Sequence, residues 1–378
     1  MKHWYGFCRS GQSLFIYYNQ IFHAKSYNMK HLFLSFYFLF VFVTIAIAQD
    51  PVIKTIKETS DKKGFTDDTT HIKGWRTGGV FTLNAGQGSS KNWAAGAEKF
   101  SLSLAGYLSV YARYKSGRFK WENTLDLGYA MINTTSNGLR KTDDKIDLYS
   151  KAGHALSEHF SLAGVVNFRT QFAPGYDYDY LGKDYQKATS NFMAPAYLIV
   201  APGIDYHPAP YFNIFVSPIS ARFVIVANEP GSYFFPNGVI PAADGGGFEL
   251  PLAALYGVNP QRKVRTEVGG FASITFNKEL FKNVSYKSRM DLYSNYLGTE
   301  RFTATGPGQI DIQKNASKPQ NVDIFWTNLI VMKVNKILNV TYNFDLIYDD
   351  DVRQFGDRKT SAAIQLRSLL AVGLSVSF

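Results

Sequence analysis

Beyond residue 48 the chain carries four histidines, His71, His154, His159 and His207, and several paired acids. Imidazole suits general-base work and metal ligation near neutral pH. His154, His159 and His207 fall at short turns of the reading below, where neighbouring turns would bring them around a metal. The plainer reading is solvated turn residues. A barrel hydrolase of the Ser–His or Asp–His type would need its histidine at the opposite, long-loop rim, and none falls there. The acids of that rim are Asp143-Asp144, Asp177 and Asp179, and Asp349-Asp350-Asp351. Paired carboxylates serve acid–base catalysis or calcium binding. Their spacing matches no calcium loop, so the expectation is charged loop tips facing water and the cations that bridge lipopolysaccharide. Gly245-Gly246-Gly247 follows no strand and opens no helix, so it is no phosphate cradle. No catalytic, cofactor-binding or metal-binding residue is assigned.

The elements that would carry such residues begin after a segment to be removed. Residues 30–48 run from Lys30-His31 through an apolar stretch to Ala46-Ile47-Ala48, the plan of a secretory signal with an A-x-A cleavage site. The apolar run is short for a membrane anchor. Met29 precedes it, so residues 1–28 read as an upstream extension. The single cysteine, Cys8, lies within residues 1–48, so the exported chain would hold no disulfide and no thiolate. Removing Lys2, Arg9, Lys25 and Lys30 takes the charge from +10 to +6. Charged residues at 19% and aromatics at 16% argue against disorder and coiled coil. The bases are scattered rather than clustered, so no nucleic-acid partner is expected.

After residue 74 the dominant pattern is period-two alternation. Phe119, Trp121, Leu125, Leu127, Tyr129 and Met131 share one face, and Lys120, Glu122, Thr124 and Asp126 the other. Twelve such segments read as strands: 75–86, 100–114, 118–132, 144–154, 160–172, 193–206, 211–226, 263–276, 284–297, 321–334, 338–349 and 363–378. Alternation is poorest in 211–226. Short connections (Lys115–Gly117, Ser157–His159, Pro208–Pro210, Lys278–Asn283, Asn335–Ile337) alternate with long ones (87–99, 133–143, 173–192, 227–262, 298–320, 350–362). That rhythm and an even strand number predict an all-β fold: a transmembrane antiparallel up-and-down β-barrel over residues 75–378. Residues 49–74 would be a periplasmic lead, and both termini would be periplasmic. A soluble sandwich has no reason to keep this rhythm. Leu370, Val372, Leu374, Val376 and the terminal Phe378 form a last-strand pattern suited to the barrel assembly machinery.

Twelve strands about 4.8 Å apart, tilted about 40°, enclose a backbone diameter of roughly 24 Å. The inward face would carry Arg113, Lys120, Glu122, Asp126, Asp147, Lys151, Arg169, Arg265, Glu267, Lys287, Arg289, Asp291, Asp323, Lys333, Asp345 and Arg367. Two readings follow: a weakly anion-preferring pore, or a lumen cross-linked by ion pairs. Trp121, Tyr129, Tyr296 and Tyr348 suit interfacial girdles. The 227–262 loop, with Tyr233, Phe234, Phe235 and Phe248, is long and apolar. It would fold into the mouth as a plug, dock a partner, or pack on neighbouring loops.

Several stretches carry a family resemblance. They are Trp75 and Gln87, Asn92-Trp93-Ala94-Ala95-Gly96, Trp121-Glu122-Asn123, Lys141-Thr142-Asp143-Asp144, Phe168 to Tyr178, Asn191 to Leu198, and Ser217-Pro218. In order and spacing they resemble the Bacteroidota family known as domain of unknown function 3078, most densely from Trp75 to Val226. Gly96-Ala97 departs from an expected glycine pair. The resemblance implies an outer-membrane barrel and no activity. Asp68-Thr69-Thr70 is similar to the O-glycosylation acceptor of Bacteroidota.

The functional expectation is an outer-membrane barrel forming a narrow channel for a small polar or anionic solute. The alternative is a non-conducting structural barrel that docks a protein through its external loops. An outer-membrane hydrolase ranks third. Expected partners are membrane lipid, lipopolysaccharide and the assembly machinery; no cofactor is expected.

Overall fold

Side chains that alternate in polarity produce strands that alternate in burial, and here those strands close on themselves. The computed structural model describes residues 73–91, 98–335, 337–356 and 361–377. The barrel strands are β1 (Gly74–Ser89), β2 (Phe100–Ser116), β3 (Phe119–Thr134), β4 (Gly138–Ala155) and β5 (Phe160–Thr170). After the loop hairpin β6 (Gly175–Asp177) and β7 (Lys187–Ser190) come β8 (Ala196–Ala209), β9 (Phe212–Ile225), β10 (Val264–Phe281) and β11 (Val284–Asn295). A second loop hairpin, β12 (Glu300–Gly306) and β13 (Gln309–Lys314), precedes β14 (Val322–Lys333), β15 (Leu338–Tyr348) and β16 (Gln365–Ser377). The closed sheet runs β1-β16-β15-β14-β11-β10-β9-β8-β5-β4-β3-β2, antiparallel throughout. All twelve expected segments are barrel strands. The two loop hairpins and one helical turn, α1 (Leu252–Leu255), were not foreseen.

Short turns occupy one rim, together with the Gly74 and Ser377 strand ends. The other rim holds the long connections, with one correction. The expected loop 133–143 is mostly strand: β3 and β4 run on to Thr134 and Gly138, leaving a turn at 135–137. Its left-handed position is Gly138, at φ 67°, and Asn137 N–H donates to Thr134 Oγ1 at 3.1 Å. A bulge at Ala130–Met131 shifts the register there, and polar residues beyond it hide the alternation.

A second bulge explains the poor alternation of 211–226. Ser217 pairs with Phe271 and Ser220 with Gly269, so β9 has one more residue than β10 between those rungs. Asn213, Phe215 and Ser217 face inward before it; Ser220, Arg222 and Val224 face inward after it. One extra residue flips the face of everything that follows.

The outward face is apolar. Leu366, Leu370, Val372, Leu374 and Val376 are each more than half exposed. Near the short-turn rim Trp75, Tyr114 and Trp121 cluster with ring centroids 5.3–5.4 Å apart, and Phe160 stacks on Tyr206 at 4.7 Å. Aromatic rings at that level suit a lipid–water boundary. The expected signal segment, most of the lead with His71, the Asn92–Gly96 motif and Phe378 lie outside the described residues.

Val166 is outward and exposed at the middle of β5. Val166→Arg should cost about 2–4 kcal/mol of stability in liposomes, as a cation on a lipid face does. The check is the urea unfolding midpoint; an unchanged value would mean that this face does not meet lipid.

Candidate functional site

The inward face builds upward in layers. At the short-turn end, Arg113 pairs with Glu122 at 3.8 Å, and Lys287 of β11 reaches Asp126 of β3 at 3.9 Å. The two strands of that second pair are not neighbours, so the contact crosses the interior. These side chains, with Tyr111 and Tyr149, line a cavity of about 140 Å³. Lys151 is buried beside them, 2.9 Å from Asp205 and 3.4 Å from the Asn213 amide oxygen. Lys120 and Lys333 sit at the short-turn ends of β3 and β14.

At the waist Arg169 and Arg289 face Asp147 and Asp291. Arg289 lies 2.8 Å from Asp291 and 3.5 Å from Asp147; Arg169 lies 3.4 Å from Asp147 and also bonds Asp291. Ser273 Oγ donates to Asp291 at 2.6 Å and Asn167 to Asp147 at 2.7 Å. Such supporting hydrogen bonds allow charges to stay ionised out of water. The Arg169 guanidinium also rests 3.8 Å from the Phe325 ring centroid. Beside this layer, Val165, Ala201, Phe215 and Phe271 form a dry patch on β5, β8, β9 and β10. The lumen is therefore packed along one wall and half-exposed along β2, β3 and lower β11.

Toward the long-loop rim, Arg222 pairs with Glu267, with Asp323 at 2.7 Å and with Asp349 at 3.8 Å. Arg265 forms ion pairs with Glu267 at 2.7 Å and Asp351 at 3.0 Å. On the other wall Arg367 bonds Asp345 and, across the interior, Asp143, which also accepts from Tyr107 at 3.0 Å. Asp144 accepts the backbone N–H groups of Phe172 and Ala173 at 2.7 and 2.9 Å. Asp143, Asp144, Asp349 and Asp351 are thus not loop tips facing water. Arg367, Arg222 and Arg265 hold Asp143, Asp349 and Asp351 inward, Lys141 holds Asp144, and burial pushes the Asp351 carboxyl above the usual range.

Above the Arg222–Arg265 group sits the loop between β9 and β10. Leu250, Leu252, Leu255, Tyr256 and Val258 join Val224 and Val226 of the barrel wall, Phe302 and Val352 in one apolar cluster. Arg265 Nη1 donates to Gly257 O at 3.2 Å, and Arg353 N–H to Leu255 O at 2.8 Å. The segment that reaches the mouth is Leu250–Val258, not the expected aromatic run. Phe234 and Phe235 instead pack on Tyr180 and Tyr185 of the neighbouring loop, 5.3–6.4 Å between centroids, and Phe248 is exposed. Tyr233 lies against Gly238. Glu249 ties the two loops, accepting from Lys187 at 2.8 Å, Tyr180 at 3.1 Å and Phe235 N–H at 2.6 Å. Burial, then the Glu249 charge, holds the Tyr180 hydroxyl well above the usual phenol range.

The described histidines meet only through the backbone, where His207 N–H donates to His159 O at 2.9 Å. His207 Nδ1 lies 3.8 Å from Asp205, His154 sits on β4 opposite Leu162, and His159 is in a turn. Among the described residues no group of three or more His, Cys, Asp or Glu is placed to hold a metal ion. Arg222, Asp205 and Glu249 escaped sequence reading. The β9 bulge hid the face of Arg222. Asp205 lies in a strand whose preceding inward residues, Ile199, Ala201 and Gly203, are not polar, so no alternation marks it. Glu249 lies in a loop with no period.

Residues 85–176 match a family described as protein of unknown function (DUF3078). The motifs at Asn191–Leu198 and Ser217-Pro218 lie beyond the matched stretch. No curated protein matches the chain. Among solved structures, an outer membrane channel from Pseudomonas putida F1 is similar at 9% identity, covering 83% of this chain and 98% of that one, with a TM-score of 0.33. The translocator domain of the autotransporter NalP from Neisseria meningitidis is similar at 9% identity, covering 86% and 97%, TM-score 0.28. A Pseudomonas aeruginosa FadL homologue is similar at 10% identity, covering 80% and 89%, TM-score 0.27.

Arg222→Leu would leave Glu267, Asp323 and Asp349 buried without their shared cation. The expected loss is about 3–5 kcal/mol, the cost of orphaning buried charge. It should appear as a lower temperature of unfolding on gels; an unchanged temperature would show the group to be neutral in stability.

Proposed function

We propose that the chain spans the bacterial outer membrane as a narrow, gated channel for a small polar solute, with both chain ends on the periplasmic side. The apolar outward band and the aromatic ring cluster support the membrane placement. The observation that carries the channel reading is the cavity at the short-turn end. Arg113, Glu122, Asp126 and Lys287 line it, half-exposed, where a purely structural lumen would be packed. Its lining holds Arg113, Lys151, Lys287 and Arg289 against Glu122 and Asp126, and Lys151 and Arg289 are held by Asp205 and Asp291 behind it, which favours a polar solute over a strongly anionic one.

The gate would be Leu250–Val258. Ordering nine residues costs about 9–18 kcal/mol at 1–2 per residue. Burying Leu250, Leu252, Leu255, Tyr256 and Val258 returns about 8–15 kcal/mol at 1.5–3 each. The two nearly cancel, so the seat depends on polar contacts such as Arg265 to Gly257 and Lys187 to Glu249. A plug held so narrowly can leave. A second reading, a docking barrel, draws on the exposed Tyr176, Phe192, Val239 and Phe248 at the same rim.

In planar bilayers the intact protein should be silent, and a variant lacking residues 250–258 should conduct. Silence of both would end the channel reading and leave the docking barrel. Glu249→Gln should loosen the loop, with faster proteolysis between residues 230 and 260 and an unchanged barrel midpoint. Unaltered proteolysis would remove Glu249 from the gate.

A further inference from the structure

The ladder between the first and last strands stops partway. β1 pairs with β16 from Val80–Ser377 to Asn84–Gly373. Beyond Asn84, β1 stays paired with β2 out to Ser89–Phe100, and β16 stays paired with β15 out to Gln365–Ile347. Both strands run on toward the long-loop rim, each beside its other neighbour and not beside the other. Burial shows the same break independently. On β1 the alternation of buried and exposed positions ends at Asn84, and Ala85 to Ser89 are exposed on both faces.

The slit lies within the apolar band. Leu366, Leu370 and Val372 stand on its outward side, exposed by 65%, 66% and 55%, and Leu102 and Leu104 of β2 lie outward beyond its other edge. Its lumen-side walls are Gly86 and Gly88 of β1 and Leu369 and Ala371 of β16, small or apolar, with Arg367 nearer the rim held by Asp345 and Asp143. No charged side chain stands on β1 from Asn84 to Ser89 or on β16 from Ser368 to Val372. At the fork, Asn84 and Asn339 flank Gly373 in the register, one on each side. Both are at least nine-tenths buried, and both amide atoms of Asn84 and the amide oxygen of Asn339 have no hydrogen-bond partner. A side chain at residue 373 would collide with the Asn84 amide, so the glycine lets the last closed rung form.

We propose that this seam is a lateral gate between the lumen and the outer leaflet. Its ligand is an amphiphile with a small neutral head, the apolar chain lying in the slit and the head meeting Asn84 and Asn339. Bare strand edges are costly in hydrocarbon, so the slit does not stand empty in a membrane. Buried amides without partners are costly too, and a neutral hydrogen-bonding head relieves them. The axial exit is covered by Leu250–Val258, whereas no described segment covers the slit. This goes beyond the channel reading, adding a lateral path for an amphiphile to the axial path for a polar solute, and rests on it only for the lumen being a path.

The test uses the full chain in outer membranes, with Cys8→Ser and pairs of introduced cysteines. A short bifunctional thiol reagent should join Leu83→Cys to Leu374→Cys, a rung of the ladder, and should fail to join Gln87→Cys to Leu370→Cys, the pair that the same register would make. A maleimide on a neutral alkyl chain, delivered in the bilayer, should label lumen-facing Ala371→Cys and not lumen-facing Thr341→Cys. Equal cross-linking of both pairs would show a zipped seam and overturn the gate. An open seam with Ala371→Cys unlabelled would overturn the amphiphile and point to a partner's strand on the edge. Neither readout depends on conductance, so the gate and the axial channel fail separately.

Discussion

The fold rests on one constraint: a sheet's backbone hydrogen bonds must be made within the chain, a demand that is strictest where lipid surrounds a sheet. A sheet meets that demand only by closing, and closure removes both edges. Closure by twelve strands then fixes a lumen roughly 24 Å across between backbones. That space is too wide to leave dry and too narrow for a broad aqueous pore once side chains point inward. The ion pairs, the dry patch and the mouth segment are three ways of filling one gap that strand number imposes.

The filling is uneven for a physical reason. Charge removed from water is tolerated when it is paired and its spare lone pairs are bonded. At the waist this holds: Arg169 and Arg289 share Asp147 and Asp291, and Ser273 and Asn167 complete the carboxylates. Nearer the mouth Arg222 and Arg265 face more acids than they can neutralise, with Glu267, Asp323, Asp349 and Asp351 around them. Excess negative charge under an apolar cover is a strained arrangement. It is also one that protonation or a displaced loop would relieve, so the least settled electrostatics lie directly beneath the segment held least firmly.

The strands were legible because an apolar outward face and a polar inward face alternate residue by residue, giving a period that survives in most barrel segments. Legibility failed where that contrast weakens. At β9 a single bulged residue reversed the faces, hiding Arg222. At β3 and β4 the strands continued past the apolar band into water, where no contrast marks them and a loop was expected. In the 227–262 loop the largest aromatics drew attention to Tyr233–Phe235, yet the mouth took Leu250–Val258. Aromatic rings are amphipathic enough to pack between loops at a wet rim, whereas small and aliphatic residues fit beside the barrel wall. The charges of the lumen were readable one by one; their partners were not, because pairing across a barrel joins residues such as Arg169 and Asp291 that sequence separates widely.

The seam between β1 and β16 is where that backbone constraint is met least fully. Every other neighbouring pair of strands carries its ladder along most of the shared length, and this one does not. Among the described strands it is also the one junction with no direct chain connection, since its strands are the first and last of the barrel. A hairpin turn holds its two strands in register from one end; the closing pair has no such tether and must be held by its rungs alone. Gly373 permits the last rung and two unpartnered asparagines stand beside it, so the junction is tight below the fork and weak above it. Closure satisfies the backbone everywhere except where the chain has no covalent means of enforcing it. That is where a barrel with a waist packed along one wall and a covered mouth still has room to open.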